Sequence, residues 1–374
     1  MAKLNKSFIG GTVFGLAAGA GVVAYQEHQK HKDPLGTPAQ RGINRGLERA
    51  LHVARQDTCL PLDSNSRYIL FSDIHKGAGD KADDFMPCKE TYLKALDHYY
   101  DNGFTLTLLG DIEELWENKI PEVMRTHQDV FEAEARFFPE RYLRIVGNHD
   151  DAWLDPVNVA TYLAPLFPKI KILPGVVFEF EDEETYGEIL LVHGHQGTLD
   201  SDLLSGFSPH LLPAFRQLQN SVRIGRTTPA TNDYLRGEHD TQMYHWASTK
   251  GKLILIAGHT HRPVWSSLTH LEQLYMQFYS LRANPPKTKN KKYQEQYHGL
   301  LRDITKRKTK CPPVNDTIKT TPCYFNTGCC RFEDGDITGI EITGQSISLV
   351  KWDKGKMARM ETETMRLAEV FALL

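Results

Sequence analysis

Five short apolar runs, each ending abruptly in polar residues, constrain this chain more than any other feature. They are Tyr68–Phe71, Thr105–Leu109, Tyr142–Val146, Ile189–Val192 and Leu253–Ala257. A short, continuous apolar run is the pattern of a strand buried on both faces. Between the first two, Lys89–Tyr100 has helical spacing, with Tyr92, Leu93, Leu96, Tyr99 and Tyr100 on one face. Alternation of strand and helix predicts an α/β fold with a largely parallel sheet. Near the C-terminus the pattern changes. Residues 336–341 and 346–352 alternate around Thr343-Gly344-Gln345, which predicts an antiparallel hairpin.

The residues that follow each run carry the chemistry. They are Ser72-Asp73-Ile74-His75, Gly110-Asp111-Ile112-Glu113-Glu114, Gly147-Asn148-His149-Asp150, His193-Gly194-His195 and Gly258-His259-Thr260-His261. Ligands of open α/β sheets bind beyond the carboxyl ends of the strands, so all five clusters are expected at one edge. Carboxylate, amide and imidazole donors without thiolate suit Mn²⁺, Fe or Zn²⁺. The set is too large for one ion and fits two ions sharing a bridging carboxylate. Two such ions clamp a phosphoryl group and acidify a bridging water to hydroxide. A single Asp-x-His is commonplace, and a lone strand-end histidine is usually structural. Five such clusters in succession, each behind a buried strand, are not.

The order D-x-H, G-D-x-x-[DE], G-N-H-[DE], H-G-H and G-H-x-H resembles the calcineurin-like metallophosphoesterase superfamily, over roughly Tyr68 to Val264. The resemblance implies a four-layer α/β/β/α sandwich, two divalent metal ions and hydrolysis of a phosphoester or pyrophosphate bond. It gives the first ion Asp73, His75, Asp111 and His261, and the second Asp111, Asn148, His193 and His259. It makes His149 the general acid at the leaving-group oxygen, with Asp150 holding the His149 ring and Glu114 behind the ligands. Serine/threonine protein phosphatases of this superfamily carry Arg-Gly after the second motif, and this chain has Glu114-Leu115 in that region. Gly258-His259-Thr260-His261-Arg262-Pro263 and the long segment before it are similar to UDP-2,3-diacylglucosamine hydrolases. Those enzymes carry Arg at the position of His149 and Asp at that of His195. His195 is either a substrate contact or a structural residue bonded to backbone, Asp200 or Asp202.

The rest of the chain of 374 residues sets the organisation. Residues 8–25 are uncharged, with Gly11, Gly15 and Gly19 on one helical face. Three readings stay open: a single membrane anchor, a signal segment cleaved near Ala18-Gly19-Ala20, and a surface-lying Gly/Ala stretch. The expected divisions are 1–32 for this segment, 33–66 for a linker with a short helix near Leu47–Gln56, 67–353 for the catalytic domain and 354–374 for a helical tail. Insertions fall at about 203–250 and 268–322. The first has an apolar helical face (Leu211, Leu212, Phe215, Leu218) and basic residues that include Arg223 and Arg226, read as a substrate-binding cap. The second has nine Lys/Arg and two acids between 287 and 310, suited to anionic lipid or polyphosphate or simply to solvent. The expected location is therefore membrane-associated, with export after cleavage or the cytoplasm as alternatives. The chain's net charge of −3 disfavours nucleic acid as a partner. Six cysteines without a CxxC pair exclude a disulfide framework and a zinc ribbon. A catalytically silent scaffold is the competing class. A complete ligand set is what separates an enzyme from it, and here no ligand position is missing.

Overall fold

The five apolar runs are strands, and they divide between two sheets. The computed structural model describes residues 38–80, 83–182, 185–196, 233–283, 291–308, 319 and 321–374. Helix α1 (Pro38–Asp57) leads into β1 (Cys59–Leu62) and β2 (Arg67–Phe71). Then come α2 (Lys89–Asp101), β3 (Thr105–Leu109), α3 (Ile120–Thr126), α4 (Gln128–Ala135) and β4 (Tyr142–Ile145). Strands β5 (Val176–Glu181) and β6 (Tyr186–Leu191) precede α5 (Asp233–Ser248) and β7 (Leu253–Ala257). Strands β8 (Pro263–Trp265) and β9 (Leu268–Thr269) lead to α6 (His270–Ala283) and α7 (Lys291–Lys308). The chain ends with β10 (Tyr324–Thr327), β11 (Ile337–Thr343), β12 (Ser346–Asp353), β13 (Ala358–Arg366) and α8 (Leu367–Ala372).

One sheet has the order β13-β12-β11-β2-β3-β4 and the other β1-β5-β6-β7-β10-β8-β9. Both are mixed. Strands β2, β3 and β4 are parallel neighbours, as are β6 and β7. An antiparallel meander, β11–β12–β13, extends the first sheet from the free side of β2, and the antiparallel β5–β6 pair builds the second. This corrects the expected largely parallel sheet. A run buried on both faces reads the same whichever sheet it joins. The hairpin is as expected, with Thr343 opposite Ser346.

Three buried clusters define four layers. Tyr92, Leu96 and Tyr99 of α2 and Val130 and Phe131 of α4 cover the outer face of the first sheet. Leu70, Leu109 and Ile340 meet Phe178, Ile189 and Ile254 between the sheets. Leu47, Leu51 and Ala54 of α1, with Met243, Trp246 and Ala247 of α5, cover the outer face of the second sheet. This is an α/β/β/α arrangement.

Two expected divisions change. The stretch read as a linker, 33–66, contains the 20-residue helix α1, whose Ile43, Leu47, Ala50, Leu51 and Ala54 are buried, and the paired strand β1. Its charged face (Arg45, Glu48, Arg49) is exposed, and that polarity masks a narrow apolar stripe. The tail at 354–374, read as helical, contains the strand β13, which pairs along β12 before the single short helix α8. Most of β13 is exposed, so it carries no alternating apolar signal. The second insertion is the α6–α7 helical pair, closed around Leu271, Leu274 and Ile304. Residues 8–25, and most of the first insertion with Leu211 to Leu218, Arg223 and Arg226, lie outside the described residues. Among those described, no helix is long and apolar enough to cross a membrane.

Candidate metal centre

The strand-end loops form a structure of their own. Asp73 N–H donates to Gly110 O, the N–H groups of Ile74 and His75 donate to Asp111 O, and Lys76 N–H donates to Ile112 O, at 2.9–3.1 Å. These bonds hold backbone that side chains resist. Asp73, His75, Asp111, His259 and His261 all have positive φ, between 51° and 70°. Each such residue costs about 1–3 kcal/mol and persists only where its surroundings dictate it. Two glycines let the loops close. A Cβ on Gly147 would sit 2.1 Å from Asp111 Oδ1, and one on Gly258 would sit 2.5 Å from Asp73 Oδ2.

The donors converge as the sequence order implies. Asp73, His75 and His261 form one group whose ligand atoms lie within 4.8 Å of one another. A second comprises Asp111, His193 and His259, and a third His75, Asp111 and His149. Asp111 stands between them: its Oδ2 is 3.1 Å from His193 Nε2 and 3.8 Å from His75 Nε2. His261 Nε2 is 3.1 Å from Asp73 Oδ1 and 3.3 Å from His75 Nε2.

Hydrogen bonds on the far side of each ring set which nitrogen faces inward. Leu109 O accepts from His193 Nδ1 at 2.8 Å, and Glu114 Oε2 accepts from His75 Nδ1 at 3.0 Å. Both acceptors fix the proton on Nδ1 and leave the Nε2 lone pair for a cation. Two buried atoms have no hydrogen-bond partner, Asn148 Oδ1 and His259 Nε2, and His193 Nε2 faces the Asp111 carboxylate. Buried polar atoms are almost always bonded, and these belong to the ligand set inferred for the second ion. Burial and the neighbouring imidazoles hold His259 well below its usual pKa, and burial takes His261 to about 4. Both rings stay neutral, as ligands must. These residues fit the binding of divalent metal.

The layer behind the ligands differs from the sequence reading. Asp150 does not hold His149. Its Oδ1 accepts from Gly147 N–H at 2.7 Å and its Oδ2 from Ile112 N–H at 3.0 Å, with Arg144 3.6 Å away. It therefore ties the third motif's loop to the second's. Glu114 takes the role instead: Oε2 accepts from His149 Nδ1 at 2.6 Å as well as from His75. Burial opposes ionisation of Glu114, yet the bonds from the two imidazoles hold its carboxyl down at about 2. Trp116 stacks on His149, with ring centroids 3.9 Å apart and planes 24° from parallel. His195 lies 5.3 Å, ring to ring, from His193, and burial lowers it to about 3. Asp200 and Asp202 lie outside the described residues.

Beneath the loops runs a buried ionic layer that the motifs did not announce. Lys76 Nζ lies 3.2 Å from Glu113 Oε1 and 2.9 Å from Glu134 Oε1. Arg144 pairs with Glu113, and Trp153 Nε1–H donates to the same carboxylate at 2.8 Å. Glu113 was visible only as the unassigned acid beside Glu114. Trp116 follows two residues later with no pattern to mark it. His239 and Asp240 of α5, which also reach the site's loops, belong to no motif.

No family model matches this sequence, and no curated protein matches it. Solved structures that resemble the fold include the following three. Vacuolar protein sorting 29 from Cryptosporidium parvum is 13% identical, covering 81% of this chain and 100% of that one, with a TM-score of 0.31. A conserved predicted phosphoesterase from Streptococcus pneumoniae TIGR4 is 11% identical over 80% and 97%, with a TM-score of 0.29. A single-residue variant of Vps29 from Entamoeba histolytica is 12% identical over 80% and 98%, at 0.27. Similarity at that level carries no weight for function; the residues at the strand ends do.

Proposed function

We propose that the chain is a di-metal hydrolase of a phosphoester or pyrophosphate bond, of the calcineurin-like metallophosphoesterase type. The observation that carries this is the pair of buried groups Asp73, His75, His261 and Asp111, His193, His259, each with its ligand atoms within 4.8 Å of one another, beside the buried, unbonded His259 Nε2 and Asn148 Oδ1. Asp73, His75, Asp111 and His261 would hold one divalent ion; Asp111, Asn148, His193 and His259 would hold the other. Bound ions of this kind supply Lewis acidity and an acidified water.

The protein's own residues supply the rest. Glu114 accepts a hydrogen bond from His149 Nδ1–H, so the ring offers Nε2 to a leaving-group oxygen. The stacked Trp116 closes one face of that ring and fixes its plane. Asp111 Oδ1 accepts from His149 N–H at 2.8 Å, so the bridging carboxylate also sets the backbone that carries the acid.

The test is a metal-supplemented screen. The full chain, stripped of metal and resupplied with Mn²⁺, Fe²⁺ or Zn²⁺, is assayed on phosphomonoesters, phosphodiesters and nucleotide-sugar pyrophosphates. Turnover that appears only with metal is expected. Stoichiometric metal binding without turnover of any class would favour the silent scaffold.

The substrate reading is narrower. The first insertion joins β6 to the parallel β7 and follows the strand end that carries His193. That position favours a substrate with a part beyond the scissile phosphate, such as a UDP-sugar-lipid pyrophosphate, held by Arg223 and Arg226. His149 and His195, which replace Arg and Asp of the UDP-2,3-diacylglucosamine hydrolases, argue for a related rather than the same substrate. The uncharged 8–25 segment and the cationic 287–310 segment support association with an anionic membrane surface.

A further inference from the structure

Two adjacent residues of α5 face the loops that carry three of the imidazoles. His239 and Asp240 are 5% and 0% exposed. His239 Nε2–H donates to Gly194 O at 2.7 Å, on the loop that holds His193, and its ring lies 5.1 Å from that of His259. Asp240 Oδ1 accepts from Thr260 Oγ1 at 3.0 Å and from the Tyr324 hydroxyl at 2.9 Å; its Oδ2 accepts from Arg262 at 2.6 Å. Thr260 separates His259 from His261, and Arg262 follows His261. We propose that His239 and Asp240 are positioning residues, and that Asp240 sets the metal affinity of both ions through the Gly258–Arg262 loop. The proposal rests on the di-metal reading above.

The argument starts from the loop's conformation. His259 and His261 both hold positive φ, 70° and 55°, a state that relaxes unless something opposes it. Thr260 lies between them and is held from two sides. Its hydroxyl donates to Asp240 and accepts from Asn326 Nδ2 at 3.2 Å. Asn326 also donates to Gly258 O at 2.6 Å and to the Tyr324 hydroxyl at 3.1 Å, which closes the network. A fully buried carboxylate paired with a guanidinium adds little net stability over apolar packing of the same volume. Its effect here falls on geometry: it fixes two rings that serve two different ions. His239 acts on the neighbouring loop, where His193 serves the second ion alone.

Partners that orient metal ligands change metal affinity by about 10–100-fold when removed. The experiment is titration of the metal-free full chain with Mn²⁺, by calorimetry or equilibrium dialysis, well below the unfolding midpoint. Asp240→Ala is expected to weaken both binding events by that factor, while circular dichroism of the metal-free protein is unchanged. His239→Ala is expected to weaken only one event. Thr260→Val should reproduce most of the Asp240→Ala effect, and the double variant should lose no more than Asp240→Ala alone.

A residue that merely stabilises the fold would lower the unfolding midpoint and leave affinity unchanged. Wild-type affinity in folded Asp240→Ala therefore overturns the proposal. Where Asp240→Ala does not fold, Asp240→Asn and Thr260→Val decide, since both keep the shape of the network; wild-type affinity in both overturns it equally. Wild-type protein that binds no Mn²⁺ would instead remove the di-metal reading itself.

Discussion

Asp111 is where the two halves of the site meet, so it is the residue whose change should be felt most widely. Its Oδ2 faces His193 and His75, and its Oδ1 holds the His149 amide. Asp111→Asn keeps the shape and the amide contact but removes the charge between two cations. We expect loss of both metal equivalents by elemental analysis, no turnover and an intact fold. Two full equivalents in that variant would end the bridging assignment. His149 makes a different prediction. His149→Ala should keep both metals and lose about 10²–10⁴ in rate. The loss should shrink for nitrophenyl esters, whose leaving group needs little help from a proton. An equal loss across leaving groups would move His149 from acid to stabiliser of a phosphoryl oxygen. The donor clusters at the strand ends were legible in the sequence, because metal binding demands particular donor atoms there. The partner of His149 was not. Asp150 is its chain neighbour, yet both Asp150 oxygens are taken by the Gly147 and Ile112 amides, and Glu114 reaches the ring from another loop.

Elements were legible where apolar residues form a run or a period. The five buried runs, helix α2 and the β11–β12 hairpin announce themselves so, whereas α1 showed only its Leu47–Gln56 part and β13 nothing, because polar residues dominate their composition. The loop between β2 and α2 shows how polar bonds add to the buried anchors Ile74 and Phe85. Asp83 is buried there. Its carboxylate accepts from Gly79 N–H at 2.9 Å, from Phe85 N–H at 3.2 Å and from His127 Nε2 at 2.7 Å. Burial pushes its pKa up, but the His127 bond and charge and the loop amides outweigh that, and the net shift is downward from 3.8. A lowered carboxylate pKa contributes stability that is present above 3.8 and lost as pH falls through the folded-state value. Asp83→Asn should therefore be less stable than wild type at pH 5–7. Its deficit should narrow as pH drops below about 4. Urea unfolding across that range measures it, and a deficit that stays constant with pH would exclude the charge as its source.

At the scale of the molecule, the site belongs to neither sheet alone. Asp73, His75, Asp111, Asn148 and His149 follow strands of the first sheet, and His193, His259 and His261 follow strands of the second. The sequence shows five similar strand ends but not this division. The ligand set is complete only when the sheets are stacked, so metal binding and stacking should be linked. A ligand bound only by the folded state adds about 2.7 kcal/mol at a concentration 100 times its Kd. For a chain of this size that is a rise in unfolding midpoint of roughly 3–4 °C for one site, growing with metal concentration. Scanning calorimetry of the metal-free protein with increasing Mn²⁺ measures it, and Asp111→Asn should show no rise. Phe371 provides the control. It stacks on Phe180, centroids 5.4 Å apart, and packs against Gly187 at the end of β6 remote from His193. Phe371→Ala should cost about 3–5 kcal/mol of inter-sheet packing yet keep the metal-dependent increment, because the strand ends that hold the ligands are undisturbed. A wild-type midpoint that ignores Mn²⁺, or an Asp111→Asn protein that gains as much as wild type, would mean that the metal is not held between the sheets.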